Sequence, residues 1–139
     1  MATTLDLALL ALRVYSTPLA SDPNPLTRNT ELNRPAVPFG WIELEWHPDQ
    51  GDGFSYGVYR NGTEIVVSYA GTNEGIDWAS NGAIGLGLGS AQVTKAALAY
   101  LQDQQLYGSN ITLTGHSLGG GLASIMAVLE LCEKKKRAE

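Results

Sequence analysis

The sequence predicts an α/β fold, in which helices pack on the faces of a β-sheet. Three strand-like segments, residues 41–46, 54–60 and 63–70, follow one another, which is typical of an antiparallel meander. A helix–strand–helix pattern over residues 90–130 continues from the third strand and predicts a βαβα unit. Because no repeat or shift in composition divides the chain, we expect a single domain over residues 1–139.

The first helix and the first strand follow from the spacing of apolar residues. Residues 5–15 carry apolar side chains at helical intervals, which predicts an N-terminal helix. Residues 41–46 alternate strictly between apolar and polar side chains, as in a strand with one buried face. We therefore expect Ile42, Leu44 and Trp46 to lie together on the buried face of that strand.

The second and third strands form a predicted hairpin. Asn61-Gly62 stands between them, and this dipeptide readily adopts the positive φ angles of a two-residue turn. Residues 65–67 form an uninterrupted apolar run, as expected of a strand that is covered on both faces. We therefore expect helices to cover the third strand on both faces of the sheet.

Two further helices flank a fourth strand at residues 111–114. Ser90 is a residue type that caps helices, and an apolar stripe predicts a helix from there to about residue 105. The stripe consists of Val93, Ala96, Ala97, Tyr100 and Leu101. The expected buried side of the last helix consists of Leu122, Ile125, Met126 and Leu129.

The composition argues against several classes of function. A net charge of −5 disfavours a nucleic-acid partner, because phosphate binding requires clustered Lys and Arg. The single cysteine, Cys132, allows no internal disulfide, and the two histidines lie far apart in sequence. We therefore expect no metal site and no cofactor.

The sequence does not predict an association with a membrane through a spanning helix. No segment approaches the roughly 20 apolar residues that such a helix requires. The apolar run at residues 7–14 follows Asp6, and no Lys or Arg precedes it. We therefore expect no cleaved signal peptide, and a protein that is either cytoplasmic or exported by another route.

The most informative motif is Gly115-His116-Ser117-Leu118-Gly119, a G-x-S-x-G pattern. A predicted strand precedes it and a predicted helix follows it. Strand, tight turn and helix in this order form a nucleophile elbow, which presents a serine at the top of an α/β sheet. The alternative is a glycine-rich turn in which Ser117 only caps the helix.

The motif predicts the chemistry of acyl transfer. A serine hydroxyl becomes a useful nucleophile when a base removes its proton and hydrogen-bond donors meet the new oxyanion. We expect Ser117 to be the nucleophile and the N–H of Leu118 to be one oxyanion donor. A second donor in such sites comes from a loop after a neighbouring strand, and Thr72 stands at that place.

With these residues assigned, the chain resembles the class 3 lipases of the α/β-hydrolase fold. The resemblance rests on the N-terminal helix, on residues 65–72, on Asp77-Trp78 with Asn81, and on residues 111–120. It implies a truncated α/β-hydrolase-like sheet with flanking helices. It also implies that Ser117 is the nucleophile, that Thr72 and Leu118 form the oxyanion hole, and that the substrates are acylglycerols or other carboxylic esters.

The general base is the part that the resemblance does not supply. In class 3 lipases the catalytic aspartate and histidine follow the elbow helix, whereas residues 118–139 contain neither residue type. The chain thus resembles about the first half of such an enzyme and is expected to be an incomplete domain. The candidates for the base are His116, beside the serine, and His47, acting in the same chain or from a second subunit.

Two further expectations concern the surroundings of the site. The glycine-rich residues 82–89 are a candidate for a mobile gate. The strand at residues 111–114 should have an unpaired edge, which predicts a homo-oligomer through that edge. Two alternatives to an esterase stay open: a non-catalytic module that binds hydrophobic ligands, and an interaction module that another chain completes.

Overall fold

The computed structural model describes five segments, residues 1–15, 36–48, 54–71, 90–116 and 118–138. Several predicted site residues lie outside these segments, namely Ser117, Thr72, Asp77, Trp78, Asn81 and the glycine-rich residues 82–89.

Three helices and four strands make up the described fold. They are α1 (Thr4–Leu12), β1 (Ile42–His47), β2 (Tyr56–Asn61), β3 (Glu64–Tyr69), α2 (Ser90–Tyr107), β4 (Ile111–Gly115) and α3 (Leu118–Ala138). The strands form one sheet in the order β1-β2-β3-β4. β1, β2 and β3 are antiparallel neighbours, and β4 pairs with β3 in parallel. The predicted meander and βαβα unit are confirmed, and the fold is α/β.

The sheet separates two hydrophobic clusters. One lies between the sheet and α2 and α3, and includes Val67 and Met126. The other lies on the face covered by α1, and includes Leu10 and Val66. Because neighbouring residues of a strand point to opposite faces, β3 contributes to both clusters. Its predicted burial on both faces is confirmed.

Helix α1 begins with a capping box and is shorter than its apolar pattern. The Thr3 hydroxyl accepts from the N–H of Asp6, and the Asp6 carboxylate accepts from the N–H of Thr3. The helix ends at Leu12, so that Val14 and Tyr15 follow it outside the helix. Both side chains are nevertheless buried against the sheet.

The predicted buried face of β1 is wrong, because a β-bulge interrupts the alternation. Between Glu43 and Glu45 the register with β2 shifts, and Leu44 has no paired residue. Leu44 packs on the α2–α3 side, whereas the indole of Trp46 donates to the carbonyl oxygen of Val14 on the α1 side at 3.2 Å. Ile42 is 50% exposed. An edge strand with a bulge thus places these three apolar residues in three environments.

The hairpin between β2 and β3 is confirmed, with its turn one residue further along. Asn61 pairs with Glu64, so the two connecting residues are Gly62 and Thr63. Gly62 has a φ angle of 59°, a conformation that glycine adopts without strain.

The long helices bury part of their predicted stripes. Ala96 and Tyr100 of α2 are buried as predicted, but Leu101 is exposed on the outer side. On α3 the prediction for Leu129 is wrong, since it is 45% exposed. At 21 residues α3 is about 31 Å long, whereas the five residues of β4 span about 17 Å, so the end of α3 projects past the sheet. Among the helices described, none has the length and apolarity needed to cross a membrane.

Candidate active site

The junction between β4 and α3 is packed so closely that two glycines are required. A Cβ atom on Gly115 would lie 2.3 Å from the carbonyl carbon of Gly119. A Cβ atom on Gly119 would lie 2.0 Å from the carbonyl oxygen of Tyr69, at the end of β3. Both neighbours are backbone atoms, which cannot move aside as a side chain could. The glycines of the motif therefore allow the first turn of α3 to press against the ends of β3 and β4.

The backbone turns from strand to helix within three residues. β4 ends at Gly115 and α3 begins at Leu118. The N–H of Gly119 donates to the carbonyl oxygen of His116 at 3.0 Å, which closes the turn. As the first residue of α3, Leu118 belongs to the turn whose N–H groups have no acceptor within the helix.

The hydroxyl of Tyr15 connects this junction to the end of β3. Its oxygen lies 3.1 Å from Nδ1 of His116, and it donates to the carbonyl oxygen of His116 at 3.3 Å. It also accepts from the N–H of Gly71 at 3.1 Å. Tyr15 is only 5% exposed, and burial raises its pKa while the hydrogen bond from Gly71 lowers it. The hydroxyl therefore keeps its proton and its role as a donor.

The contact of this hydroxyl with the ring of His116 depends on which nitrogen of the imidazole carries a proton. A phenol has one proton to donate and two lone pairs that accept. If Nδ1 carries a proton, Nδ1–H donates to the Tyr15 oxygen, and if it does not, the Tyr15 hydroxyl donates to Nδ1. With either tautomer the hydroxyl lies beside both the ring and the carbonyl oxygen of His116.

Sequence reasoning missed Tyr15. It stands at the end of the predicted first helix, where its apolar ring fits the helical pattern. Its contacts are with Gly71 and His116, which are 56 and 101 positions away. Neither residue forms a motif with it, so no local pattern could have identified it.

The second candidate base, His47, lies at the same end of the sheet as the junction but on the opposite edge. Paired residues run across the sheet from His47 through Tyr56 and Tyr69 to Gly115. Three strand spacings separate His47 from Gly115, or roughly 14 Å. The imidazole stacks on the Tyr56 ring at a centroid distance of 4.3 Å, and its Nε2 lies 2.7 Å from a carboxylate oxygen of Glu45.

Acidic and phenolic side chains form a second cluster on the α2 side of this row. Asp103 is completely buried, and neither of its carboxylate oxygens has a hydrogen-bond partner among the described residues. Burial and the charge of Glu45 raise the pKa of Asp103 to about 7, while His47 lowers it. Burial also raises the pKa of Glu45, but hydrogen bonds from Tyr107 and His47 outweigh this and leave it below its usual value.

A groove follows the outer edge of β4. It has a volume of about 390 Å³, and its lining includes Ile111 and Leu113 of the strand, Ala123 and Ala127 of α3, and the polar residues Thr114, Ser124 and Glu130. Within the described residues no strand pairs with this edge. The predicted open edge is thus present in the part of the chain that the structure covers. The same part holds no group of three or more His, Cys, Asp or Glu side chains suited to a metal ion.

Comparisons with known proteins place these features in a family. The model of a phospholipase-like family, the Tle-like phospholipase domain, matches residues 6–133. The chain is also 37% identical over 122 residues to an extracellular phospholipase A1 of Serratia liquefaciens; the match covers 88% of this chain and 37% of that protein. The chain thus spans little more than a third of this relative's length.

No solved structure matches the chain significantly. The expected relationship to lipases is confirmed at the level of a lipase-type family, without a specific assignment to class 3 lipases. Since the family model covers nearly all of the sequence, the chain belongs to the Tle-like phospholipase domain family.

Proposed function

We propose that this chain carries the nucleophile and oxyanion donors of a serine hydrolase that cleaves the carboxylic esters of phospholipids or related acylglycerols. Membership of a phospholipase-like family and the similarity to a phospholipase A1 support the substrate class. The close approach of Gly119 to Tyr69 carries the serine mechanism. It brings the first turn of α3, and with it Leu118, next to the end of β3, where the chain leads to Thr72.

In the proposed reaction the Ser117 oxygen attacks the ester carbonyl carbon, and its proton passes to a general base. The carbonyl oxygen becomes an oxyanion that accepts from the N–H groups of Leu118 and Thr72. The C–O bond to the alcohol then breaks, and the alcohol leaves with the proton from the base. Water hydrolyses the resulting acyl-enzyme by the same route, which releases the fatty acid and restores the serine.

The two histidines remain candidates for the base, and their positions separate them. His116 is joined to Ser117 by one peptide bond, and its Nδ1 contacts the Tyr15 hydroxyl. His47 would have to act from a second subunit, because roughly 14 Å separate it from Gly115 across the sheet.

A narrower relationship to class 3 lipases is supported by the Gly71-Thr72 and Gly115–Gly120 motifs together.

The test is covalent labelling with a fluorophosphonate, followed by intact-mass spectrometry. We expect one adduct on the wild type and none on Ser117→Ala. Ser124→Ala is the matched control, because Ser124 lies exposed on α3 and its hydroxyl donates only to the carbonyl oxygen of Gly120. Labelling of the control but not of Ser117→Ala identifies an activated serine at position 117. An unlabelled wild type would contradict the proposed mechanism.

A second candidate function, that of an interaction module, is favoured by the groove along β4. An unpaired strand edge beside the small side chains of Ala123, Ser124 and Ala127 is suited to pairing with another strand. We propose that a second copy of the chain occupies it, which gives a homo-oligomer. Light scattering should then show a dimer that Ala127→Arg, inside the groove, dissociates. Val128→Arg, on the exposed side of the same helix, should leave it intact, and a monomeric wild type would refute the proposal.

A further inference from the structure

We propose that Tyr15 is a positioning residue of the active site, and that its hydroxyl holds the turn after β3 and the turn after β4 in fixed register. This inference rests on the proposed function, because it assigns Tyr15 a role in building the oxyanion hole. It adds a residue that stands in neither of the two sequence motifs.

The contacts of the hydroxyl connect three separate parts of the chain. Tyr15 follows α1, Gly71 follows β3, and His116 follows β4. The hydroxyl accepts from Gly71 at 3.1 Å and contacts His116 twice, at 3.1 Å and 3.3 Å. The buried hydroxyl thus bridges the main chain of Gly71 and His116.

These partners are the immediate neighbours of the proposed catalytic groups. One peptide bond joins Gly71 to Thr72, and one joins His116 to Ser117. The hydroxyl of Tyr15 therefore holds the two main-chain residues that directly precede Thr72 and Ser117 in the sequence. Oxyanion donors must lie about 2.7–3.1 Å from the developing charge, so a small shift of either turn affects the transition state.

Other buried tyrosines make different contacts. The hydroxyl of Tyr69 donates to the carbonyl oxygen of Ala96, and that of Tyr100 accepts from the side chain of Gln104 at 2.6 Å. These bonds involve α2, on the opposite face of the sheet from α1, and the Tyr100 hydroxyl also hydrogen-bonds with Glu130 of α3. Tyr100 is 4% exposed, almost the same as Tyr15. It therefore provides a control in which the same atom is removed from an equally buried ring.

The experiment compares Tyr15→Phe and Tyr100→Phe with the wild type. Removing the Tyr15 hydroxyl deprives the buried N–H of Gly71 of its acceptor and frees the carbonyl and ring of His116. We expect kcat for a short-chain nitrophenyl ester to fall at least about tenfold, with KM changed less than about twofold, because ester binding is retained and transition-state contacts are lost. The rate of fluorophosphonate labelling should fall in parallel, and the amide proton of Gly71 should exchange faster with solvent.

Tyr100→Phe should match the wild type in kcat and in Gly71 exchange, even where its melting temperature falls as much as that of Tyr15→Phe. A second variant carries 3-fluorotyrosine at position 15, introduced by amber suppression. It keeps the ring and the hydroxyl but weakens the oxygen as an acceptor, so a smaller fall in kcat is expected. This variant decides the question if Tyr15→Phe does not fold.

The outcomes separate this inference from the function on which it rests. A wild type that labels, with both Tyr15 variants unchanged or no slower than Tyr100→Phe, overturns the role of Tyr15 and leaves the serine mechanism standing. A rise in KM at constant kcat also overturns it, because it would show a contribution to substrate binding instead. A wild type that does not label overturns both.

Discussion

Gly119 meets the carbonyl oxygen of Tyr69 at a distance that leaves no room for a side chain: a Cβ atom there would lie 2.0 Å from that oxygen. The contact joins the first turn of α3 to the end of β3. Since both partners are main-chain atoms, relief would require the helix and the sheet to separate. The contact between α3 and β3 thus depends on the absence of a side chain at Gly119.

We predict that Gly119→Ala destabilises the protein by about 1–3 kcal/mol, because overpacking of this contact outweighs the better helix propensity of alanine. Urea denaturation measures the change in the free energy of unfolding. Gly120→Ala is the control, since a Cβ atom there meets its nearest backbone atom, the carbonyl oxygen of Gly115, at 3.1 Å. Equal free energies of unfolding for the two variants would contradict the proposed packing constraint.

The burial of Asp103 predicts a pH dependence of stability. Its pKa is about 7 in the folded protein and near 3.8 in the unfolded chain, so between these values the folded state binds more protons. The free energy of unfolding should therefore fall as the pH rises from about 4 to about 7, by at most about 1.4 kcal/mol per pH unit. Below and above that window Asp103 contributes no slope.

Asp103→Asn replaces the titrating group by a neutral one of the same shape. We expect the variant to be more stable than the wild type at pH 8 and to lose the downward slope between pH 4 and 7. Chemical denaturation at a series of pH values measures both effects. The contribution of Glu45 has the opposite sign: because its pKa is lowered, stability rises with pH up to the ordinary pKa of 4.5, and above that pH Glu45 adds no slope. A slope that survives in Asp103→Asn would therefore be evidence against the assignment.

The capping box of α1 gives a prediction for the element that leads to Tyr15. Thr3→Ala removes the hydroxyl that accepts from the N–H of Asp6 and should cost about 1 kcal/mol of stability. Thr3→Ser keeps an acceptor at the same place and should cost much less. Thermal or urea unfolding distinguishes them. Equal losses in both variants would mean that the methyl group of Thr3, and not its hydroxyl, is important.

How far the sequence predicts this molecule depends on the range of the interaction. The spacing of apolar residues within each element was sufficient to predict the helices and the strands in their order. The glycines of the G-x-S-x-G motif predicted a tight turn between β4 and α3. Contacts between distant segments left no local signal, as with Tyr15 and His116. The same applies to Asp103, whose position on α2 faces a cluster from β1, β2 and β3 that its helix alone does not reveal.

The bulge in β1 shows most clearly why an alternation of apolar and polar residues can give the wrong buried face for a strand. It also supplies the last prediction. Strict alternation assumes an unbroken ladder, and one unpaired residue reverses the faces of all residues beyond it. Ile42→Lys should change stability by no more than about 0.5 kcal/mol, because half of that side chain is already in solvent.

Leu44→Lys should cost about 2 kcal/mol or more, because it places a charge against the cluster between the sheet and α2 and α3. An unbroken strand would make both substitutions equally costly. Urea denaturation of the two variants under the same conditions therefore tests the bulge directly, and similar large losses would favour the simple alternation that the sequence suggests.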